Sequence, residues 1–200
     1  GGQLYALTDP ATIGTDPVTL WTLDASLGWI VVKAYGGTCQ FGAPGYGQVI
    51  VAVEDQTTRT QVRISRAGTN DAPLSGGVAG TSIEVILGTD LAGDFDPAKN
   101  TAALIAAVID ALPNVLATSI PNTIDFLTYA PLGPGGIPRT YLMQAITHGR
   151  GLCVYQNQLF VSFGNVLVAY DGSTFVTVRF FDVNTVIQDL LVFASVLYAL

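Results

Sequence analysis

An internal repeat constrains the fold of this chain more than any other feature of its sequence. Segments that recur at a fixed period form repeated structural units, which stack on one another to bury a common core. Three short segments near the start of the chain match, in the same order, three segments near its end: residues 3–7, 20–24 and 29–33, and residues 158–162, 167–171 and 175–179. A third copy begins at Val196. Its Leu197 lies 38 residues after Leu159, a spacing close to the length of one propeller blade.

Each copy predicts a three-stranded antiparallel meander. The middle segment ends in an aspartate, Asp24 or Asp171, and an aromatic residue opens the third segment. Asp171 and Gly172 suit a tight hairpin turn, because glycine adopts positive φ and aspartate bonds its own backbone. We therefore interpret both aspartates as turn residues and not as catalytic groups. The copies resemble blades of β-propeller proteins, and a generic antiparallel sheet is the alternative.

The segment between the copies predicts an inserted α+β domain. It is bounded by two runs rich in glycine and proline, residues 42–47 and 131–138. The predicted domains are a blade-like β-meander over residues 1–40, the insert over 41–138, and further blade-like meander copies over 139–200, the last incomplete. The two outer parts are expected to form one β-body. The predicted fold class is therefore mainly β, with antiparallel meander repeats flanking a small α+β domain that has one main helix.

The insert contains one well-specified helix. Asp96 is its predicted cap, Pro97 suits its first turn, and Pro113 ends it. The predicted buried stripe consists of Leu104, Ile105, Val108, Ile109 and Leu112. The opposite face, nearly uncharged except for Lys99 and Asp110, is predicted to lie against another element or another subunit, and it includes Ala103, Ala106 and Ala107. The strands predicted around the helix are residues 49–53, 60–65, 82–87, 115–118 and 124–128.

The composition of the chain favours a protein that works within an assembly. Charged residues make up 12% of the sequence and hydrophobic residues 50%, with a mean hydropathy of +0.47. Ordinary soluble domains contain about 25% charged residues, so the surface of this chain is poor in charge. Such a surface either contacts neighbouring subunits or depends on Thr, Ser, Asn and Gln for its solubility. We favour the assembly.

Charge and hydropathy patterns argue against two other classes of partner. The net charge is −7 and the 8 basic residues are scattered, so no basic stripe for nucleic acid is present. The longest apolar run, residues 190–200, is far shorter than the roughly 20 residues of a membrane-spanning helix, so we predict no membrane insertion. Because the chain opens on Gly1 and stops inside that run, we expect it to be part of a longer polypeptide.

The sequence contains no recognisable catalytic motif or cofactor site. His148, the single histidine, lies between the Gly- and Pro-rich run 131–138 and a predicted strand. No Gly-x-Ser-x-Gly motif, which carries the nucleophilic serine of many hydrolases, is present. Cys39 and Cys153 are interpreted as small buried hydrophobic residues and not as a disulfide. The Gly-rich run 133–136 lacks the helix and lysine of a phosphate loop. We therefore predict no enzymatic activity, no cofactor and no metal.

Carboxylates provide two weaker candidate sites. Glycoside hydrolysis needs two carboxylates a few ångströms apart. No motif pairs the candidates, which are Glu54, Asp55, Glu84, Asp90, Asp94, Asp96 and Asp125. The group Asp90, Asp94 and Asp96 offers oxygen ligands for Ca²⁺, but it lacks the residue order of a known calcium loop. We interpret most of these residues as solvated loop positions.

Part of the insert resembles a module that recurs in tailed-phage virion proteins. The resemblance rests on residues 80–87, which read as a Gly-led strand, on the alanine-rich helix start in residues 100–109, and on residues 115–118. It covers roughly residues 60–136. It implies a small α+β interaction domain of tail or baseplate proteins, with no catalytic residues. The expected function is therefore a structural component of a phage tail, baseplate or fibre, located in the virion, whose partners are other virion subunits in a homo- or hetero-oligomer.

Two alternatives come from other functional classes. Exposed aromatic side chains could instead bind sugars of a host-surface glycan, and the candidate residues are Trp21, Trp29, Tyr35 and Tyr46. Aromatic residues within strands are more often part of a core. A glycan depolymerase that uses two of the carboxylates named above is the second alternative.

Overall fold

The computed structural model describes residues 3–42, 47–120, 138–181 and 184–200. The first strands in chain order are β1 (Tyr5–Thr8), β2 (Val18–Asp24), β3 (Gly28–Tyr35), β4 (Gly37–Gly42) and β5 (Gln48–Val53). They are followed by β6 (Gln61–Arg66), β7 (Ser75–Ala79), β8 (Ser82–Leu87), the helix α1 (Ala102–Asp110) and β9 (Val115–Ile120). The remaining strands are β10 (Arg139–Leu142), β11 (Gln144–Ala145), β12 (Leu152–Tyr155), β13 (Gln158–Phe163), β14 (Val166–Tyr170), β15 (Phe175–Phe180), β16 (Leu190–Phe193) and β17 (Val196–Ala199).

The chain divides into two compact units. Unit 1 comprises residues 1–37, 54–56 and 145–200, and unit 2 comprises residues 38–53 and 57–144. Both outer segments of the sequence therefore contribute to unit 1. Residues 139–142 belong to unit 2, although the predicted boundary placed them with the outer meander, because β10 pairs antiparallel with β6. The Gly- and Pro-rich runs predicted as boundaries, and the strand predicted at 124–128, lie largely or wholly outside the described residues.

The described residues of unit 1 form three antiparallel sheets, which confirms the mainly-β fold with antiparallel meanders. The first has the strand order β1-β2-β3, the second β12-β13-β14-β15, and the third is the hairpin β16-β17. Asp24 accepts hydrogen bonds from the amides of Ser26 and Leu27, each at 2.8 Å. Asp171 does the same for Ser173 and Thr174, and Gly172 has a φ of 101°. The turn interpretation of both aspartates is confirmed.

In the part of unit 2 that the structure describes, two four-stranded sheets enclose a hydrophobic core. The sheets have the strand orders β10-β6-β8-β7 and β11-β4-β5-β9. Within the first sheet β6 and β8 are parallel, with Val62 opposite Ile83. The fully buried side chains include Val62, Ile64, Ile83, Val85 and Leu87 from this sheet and Val49, Val51 and Val53 from β5. The helix adds four buried side chains to this core, which are Ala102, Ile105, Ala106 and Ile109.

The helix begins later than predicted. Its N-cap is Thr101 and not Asp96, and the Thr101 hydroxyl accepts a hydrogen bond from the Leu104 amide at 3.2 Å. Asp96 instead accepts from the Ala98 amide at 2.9 Å, within a turn that precedes the helix. The buried Asn100 side chain holds this turn, because its amide nitrogen donates to the carbonyls of Gly88 and Asp96 at 2.8 and 2.6 Å. The helix ends at Asp110, before Pro113.

The helix also buries a different face from the predicted one. Its buried residues are Ala102, Ile105, Ala106 and Ile109. Leu104, predicted to be buried, is 44% exposed, whereas Ala106, predicted to be on the outer face, is 5% exposed. The small Ala102 and Ala106 side chains let the helix approach its neighbours closely, and the apolar stripe is rotated accordingly. The prediction is therefore confirmed for Ile105 and Ile109 and wrong for Leu104, because the buried face is rotated towards Ala102 and Ala106.

Candidate functional site

The sheets of unit 1 each have two faces that can be assigned from strand register. Directly opposite residues of antiparallel strands share a face, and neighbours along a strand alternate between faces. On one side of the four-stranded sheet, here called the A face, lie Val161, Phe163 and Val168. On the other side, the B face, lie Phe160, Leu167 and Ala169.

The four-stranded sheet is covered on both faces by the other two sheets of unit 1. On its A face, the rings of Tyr5 and Tyr170 meet edge to face with centroids 6.2 Å apart, and those of Tyr35 and Phe163 at 5.0 Å. On its B face, a cluster with the β16-β17 hairpin consists of Phe160, Leu167, Ala169, Ile187 and Leu190. Val161 is fully buried as a result. The middle sheet is therefore a packed layer between two neighbours.

The three-stranded sheet has one uncovered face. Register places Ala6 opposite Trp21, and Leu23 opposite Trp29, on the side that faces away from the four-stranded sheet. This is its A face, and Trp29 is 47% exposed while Leu23 is 42% exposed. The outward Val31 is 55% exposed. An apolar, uncharged surface of this kind marks an interaction site more often than a solvated face.

A cleft on this A face brings the two predicted tryptophans together, whereas Tyr35, also predicted as a sugar-binding candidate, is buried and Tyr46 lies outside the described residues. It has a volume of about 400 Å³ and is lined by Ala6, Thr8, Trp21 and Trp29. The Trp21 Nε1 donates a hydrogen bond to the Thr8 hydroxyl at 3.0 Å. This bond fixes the Trp21 ring and satisfies its polar atom, so the cleft presents indole surface and little hydrogen-bonding capacity.

The β16-β17 hairpin has an uncovered face of its own. Leu191 lies opposite Tyr198, and Phe193 opposite Val196, on the side away from the four-stranded sheet. All four side chains are between 43% and 67% exposed. This B face has no charged residue. Unit 1 therefore ends in an exposed apolar face at each side of its stack of sheets.

The predicted alanine surface of the helix is only partly a surface. Ala103 and Ala107 are exposed, whereas Ala106 packs into the core of unit 2. The exposed side of the helix borders a groove of about 620 Å³ whose lining residues are Asp71, Pro73, Leu74, Ala98, Lys99, Leu104, Ala107, Val108 and Ala111. The Lys99 amine is 2.6 Å from an Asp71 carboxylate oxygen, so the charged side chains at the rim neutralise one another.

The carboxylates considered for catalysis or calcium are engaged in local structure. Asp90 accepts hydrogen bonds from the amides of Ala92 and Asp94, both at 2.9 Å. Glu54 pairs with Lys33, and Asp94 lies 3.8 Å from an Arg66 guanidinium nitrogen.

No group of three or more His, Cys, Asp or Glu side chains that could hold a metal ion occurs within residues 3–42, 47–120, 138–181 and 184–200. Glu84, on β8, lies opposite Arg63 in the strand register. Asp125 lies outside the described residues.

Both cysteines are free, and Cys153 is less buried than the sequence interpretation expected. Cys39 is buried in the core of unit 2, and burial raises the pKa of its thiol to about 12. Cys153, on β12, is half-buried, and its pKa is raised by burial and then by the charge of Asp189.

His148 Nδ1 lies 3.6 Å from an Asp9 carboxylate oxygen. The Asp9 carboxylate also accepts a hydrogen bond from the Gly149 amide at 2.8 Å. Asp9 and His148 therefore stabilise the loop around Gly149.

Comparisons with protein-family models, with curated proteins and with solved structures found no match. Among the described residues, no helix is both long and apolar enough to cross a membrane.

Proposed function

We propose that this chain is a structural subunit of a tailed-phage virion, in its tail, baseplate or fibre, and that it works through protein–protein assembly. The observation that carries the assembly role is the pair of exposed apolar faces at the two sides of the unit 1 stack. A chain with 12% charged residues leaves few groups to solvate such faces. The virion context rests on the resemblance of residues 60–136 to modules of phage tail proteins.

The proposal is tested on phage particles purified from a culture that expresses the gene. Peptide mass spectrometry should find the chain at an amount comparable to other minor virion proteins, and gold-labelled antibody should mark the tail or baseplate. Preimmune serum serves as the control. Presence of the chain in the soluble lysate, together with its absence from washed particles, would contradict the proposal.

A host-surface glycan is the second candidate partner, because two indole rings line one cleft. Aromatic rings stack on sugar rings, but sugar recognition also needs polar groups that fix the hydroxyls. The Thr8 hydroxyl is already engaged by Trp21, which favours a protein partner. Calorimetry with purified host polysaccharide decides between them: binding that is lost in Trp29→Ala and kept in the turn variant Leu27→Ala would promote the glycan.

A further inference from the structure

Strand β7 forms an unprotected edge of a four-stranded sheet in unit 2. It is the last strand in the order β10-β6-β8-β7, and no described strand pairs with its outer side. Proteins usually protect a sheet edge with a lysine, a proline, a bulge or a covering segment, because free backbone groups pair with other chains. The sequence of β7 is Ser-Gly-Gly-Val-Ala, and its register with β8 has no bulge. No residue of β7 therefore opposes the pairing of another strand.

The register of the β7-β8 hairpin shows which backbone groups point outward. The strands are joined by a two-residue turn at 80–81, so Ala79 and Ser82 form a hydrogen-bonded pair. Hydrogen-bonded and non-hydrogen-bonded pairs alternate along an antiparallel ladder. Gly76 and Val78 are consequently in non-hydrogen-bonded pairs, and their N–H and C=O groups point away from β8. Outside the ladder with β8, no backbone hydrogen bond reaches β7 within the described part of the chain.

The two glycines of β7 differ in how the fold explains them. Gly76 is required by packing, because a Cβ atom there would lie 2.4 Å from Val108 Cγ1. A Cβ atom on Gly77 would meet no described atom within 4 Å, and the φ angle of Gly77 is not positive. Glycine inside a strand weakens it, and it often marks a place where a ligand or another backbone approaches closely. Gly77 therefore marks the free edge as a place of close approach.

The groove beside α1 lies next to this edge. Residues 73–74, which directly precede β7, line one side of the groove, and Leu104, Ala107 and Val108 of the helix line the other. Val108 also lies against the backbone of Gly76, so the groove and the edge strand adjoin each other. The groove volume of about 620 Å³ is within the range of pockets that bind ligands.

A strand added at this edge would place alternate side chains in the groove. In an antiparallel pair, the more stable arrangement, the residues opposite Gly76 and Val78 share their face of the sheet, which is the face that α1 covers. Alternate side chains of a strand are about 7 Å apart. The helix borders the groove from Leu104 to Ala111, a length of about 10 Å. The groove therefore accommodates more than one side chain of the added strand.

We infer that β7 binds an extended segment of a neighbouring polypeptide, which pairs antiparallel with the edge and places alternate apolar side chains in the groove. The segment is uncharged where it faces the groove, because Lys99 and Asp71 neutralise each other at the rim. A second copy of β7 fits less well, since it would direct only Gly76 and Val78 towards the groove. The inference rests on the proposed assembly function for the source of the segment, a neighbouring virion subunit.

A synthetic peptide tests the inference with the whole chain. The probe is acetyl-Lys-Thr-Val-Thr-Val-Thr-Lys-amide, whose two valines face the groove when the peptide backbone pairs with Gly76 and Val78. Titration into isotope-labelled protein should shift the amide NMR signals of Gly76 and Val78 and slow the hydrogen exchange of both amides. A single short strand makes few contacts, so we expect a dissociation constant on the order of 0.5 mM. Amide signals that stay unchanged up to about 5 mM peptide would overturn the inference.

Two methylated peptides separate backbone pairing from hydrophobic contact. In the antiparallel arrangement the N–H groups of the valines point towards β7, and those of the threonines point away from it. N-methylation of both valines should therefore abolish binding, whereas N-methylation of the threonines should change the dissociation constant by less than about threefold. Equal affinities of the two methylated peptides would refute strand pairing.

Two protein variants test the groove. Ala103 and Ala107 are both exposed on α1, but only Ala107 lines the groove. Ala107→Glu should weaken peptide binding at least fivefold, and Ala103→Glu should bind like the natural chain, with circular dichroism as the check on folding. Unchanged binding by Ala107→Glu would contradict the use of the groove.

Two further outcomes keep the occupants and the proposals apart. Concentration-dependent shifts of Gly76 and Val78 without peptide, and no further shift with it, would assign the edge to a second copy and overturn the inference. Failure of the peptide to bind leaves the proposed function in place, because that function rests on the faces of unit 1. Absence of the chain from phage particles would contradict the virion role while leaving the peptide result unchanged.

Discussion

The rotated face of the helix gives a direct test of how unit 2 is held together. Ile105 is fully buried in the core, whereas the adjacent Leu104 is 44% exposed beside the groove. Replacing a fully buried isoleucine with alanine removes three methyl or methylene groups and leaves a cavity, which costs about 2–5 kcal/mol. Leucine burial contributes about 1.5–3 kcal/mol when complete, so the half-buried Leu104 should lose about 1 kcal/mol on the same change.

Urea unfolding followed by circular dichroism at 222 nm measures the difference. For a urea dependence of about 2 kcal/mol per molar, Ile105→Ala should lower the midpoint of the unit 2 transition by about 1–2.5 M, and Leu104→Ala by about 0.5 M. Hydrogen exchange in peptides covering residues 102–110 assigns the change to the helix. Equal losses for the two variants would refute the observed packing and restore the stripe predicted from sequence.

Three further predictions follow from single residues. Asn100→Ala leaves two carbonyls and the Gly88 amide without their buried partner, so the free energy of unfolding should fall by about 2–4 kcal/mol in urea titrations. Amide and hydroxyl donors hold the pKa of Asp171 below its ordinary value. The charged carboxylate therefore stabilises the fold at pH values above the pKa that Asp171 has in the unfolded chain, and this stabilisation is lost as the pH falls through the pKa of Asp171 in the folded protein. Asp171→Asn should therefore lower Tm at neutral pH, and the difference should shrink in acid. A thiol reagent at pH 8 should modify Cys153 well before Cys39, as mass spectrometry of digests would show.

Each of these has a clear contrary result. An unchanged unfolding free energy in Asn100→Ala would mean that solvent replaces the lost hydrogen bonds. A Tm difference for Asp171→Asn that persists at the lowest pH would assign its effect to turn geometry and not to charge. Modification of Cys39 at the rate of Cys153 would show that the core of unit 2 opens readily.

The repeat made the meanders of unit 1 predictable from sequence. Strand alternation, the Asp24 and Asp171 turns and the recurring spacing are local signals, and they act over a few residues. The parallel pairing of β6 with β8 is a different case, because it joins segments through a crossover that no local pattern specifies.

The helix shows why its buried face was misread. Apolar residues occupy nearly every position from Ala102 to Ile109, and the first turn has no acidic residue. Because no polar residue marks an outer face, the spacing of apolar residues does not show which side of the helix is buried. The packing of Ala106 in the core of unit 2 determines that side. Thr101 competes with Asp96 as cap, and the buried Asn100 settles the choice by holding the preceding turn.

The aromatic residues of unit 1 show why the candidate site could not be predicted fully from the sequence. A tryptophan in a strand predicts either a core or an exposed binding face, and its sequence neighbours are the same in both cases. Val168, the counterpart of Trp21 in the repeat, is buried at 1% exposure beneath another sheet, whereas Trp29 on the same face as Trp21 is 47% exposed. That information resides in the packing of sheets distant in sequence.

The two tryptophans of the chain both line the exposed A face of the three-stranded sheet, one of the two faces on which the proposed assembly function rests, so their fluorescence reports on that face directly. Acrylamide quenching should be measured between about 1 µM and 500 µM, a range in which weak protein–protein association is detected. The account predicts that the quenching constant falls and the emission shifts to the blue as concentration rises, while Phe193→Glu shows neither change. Quenching that is high and independent of concentration in the natural chain would contradict the claim that these exposed sheet faces assemble.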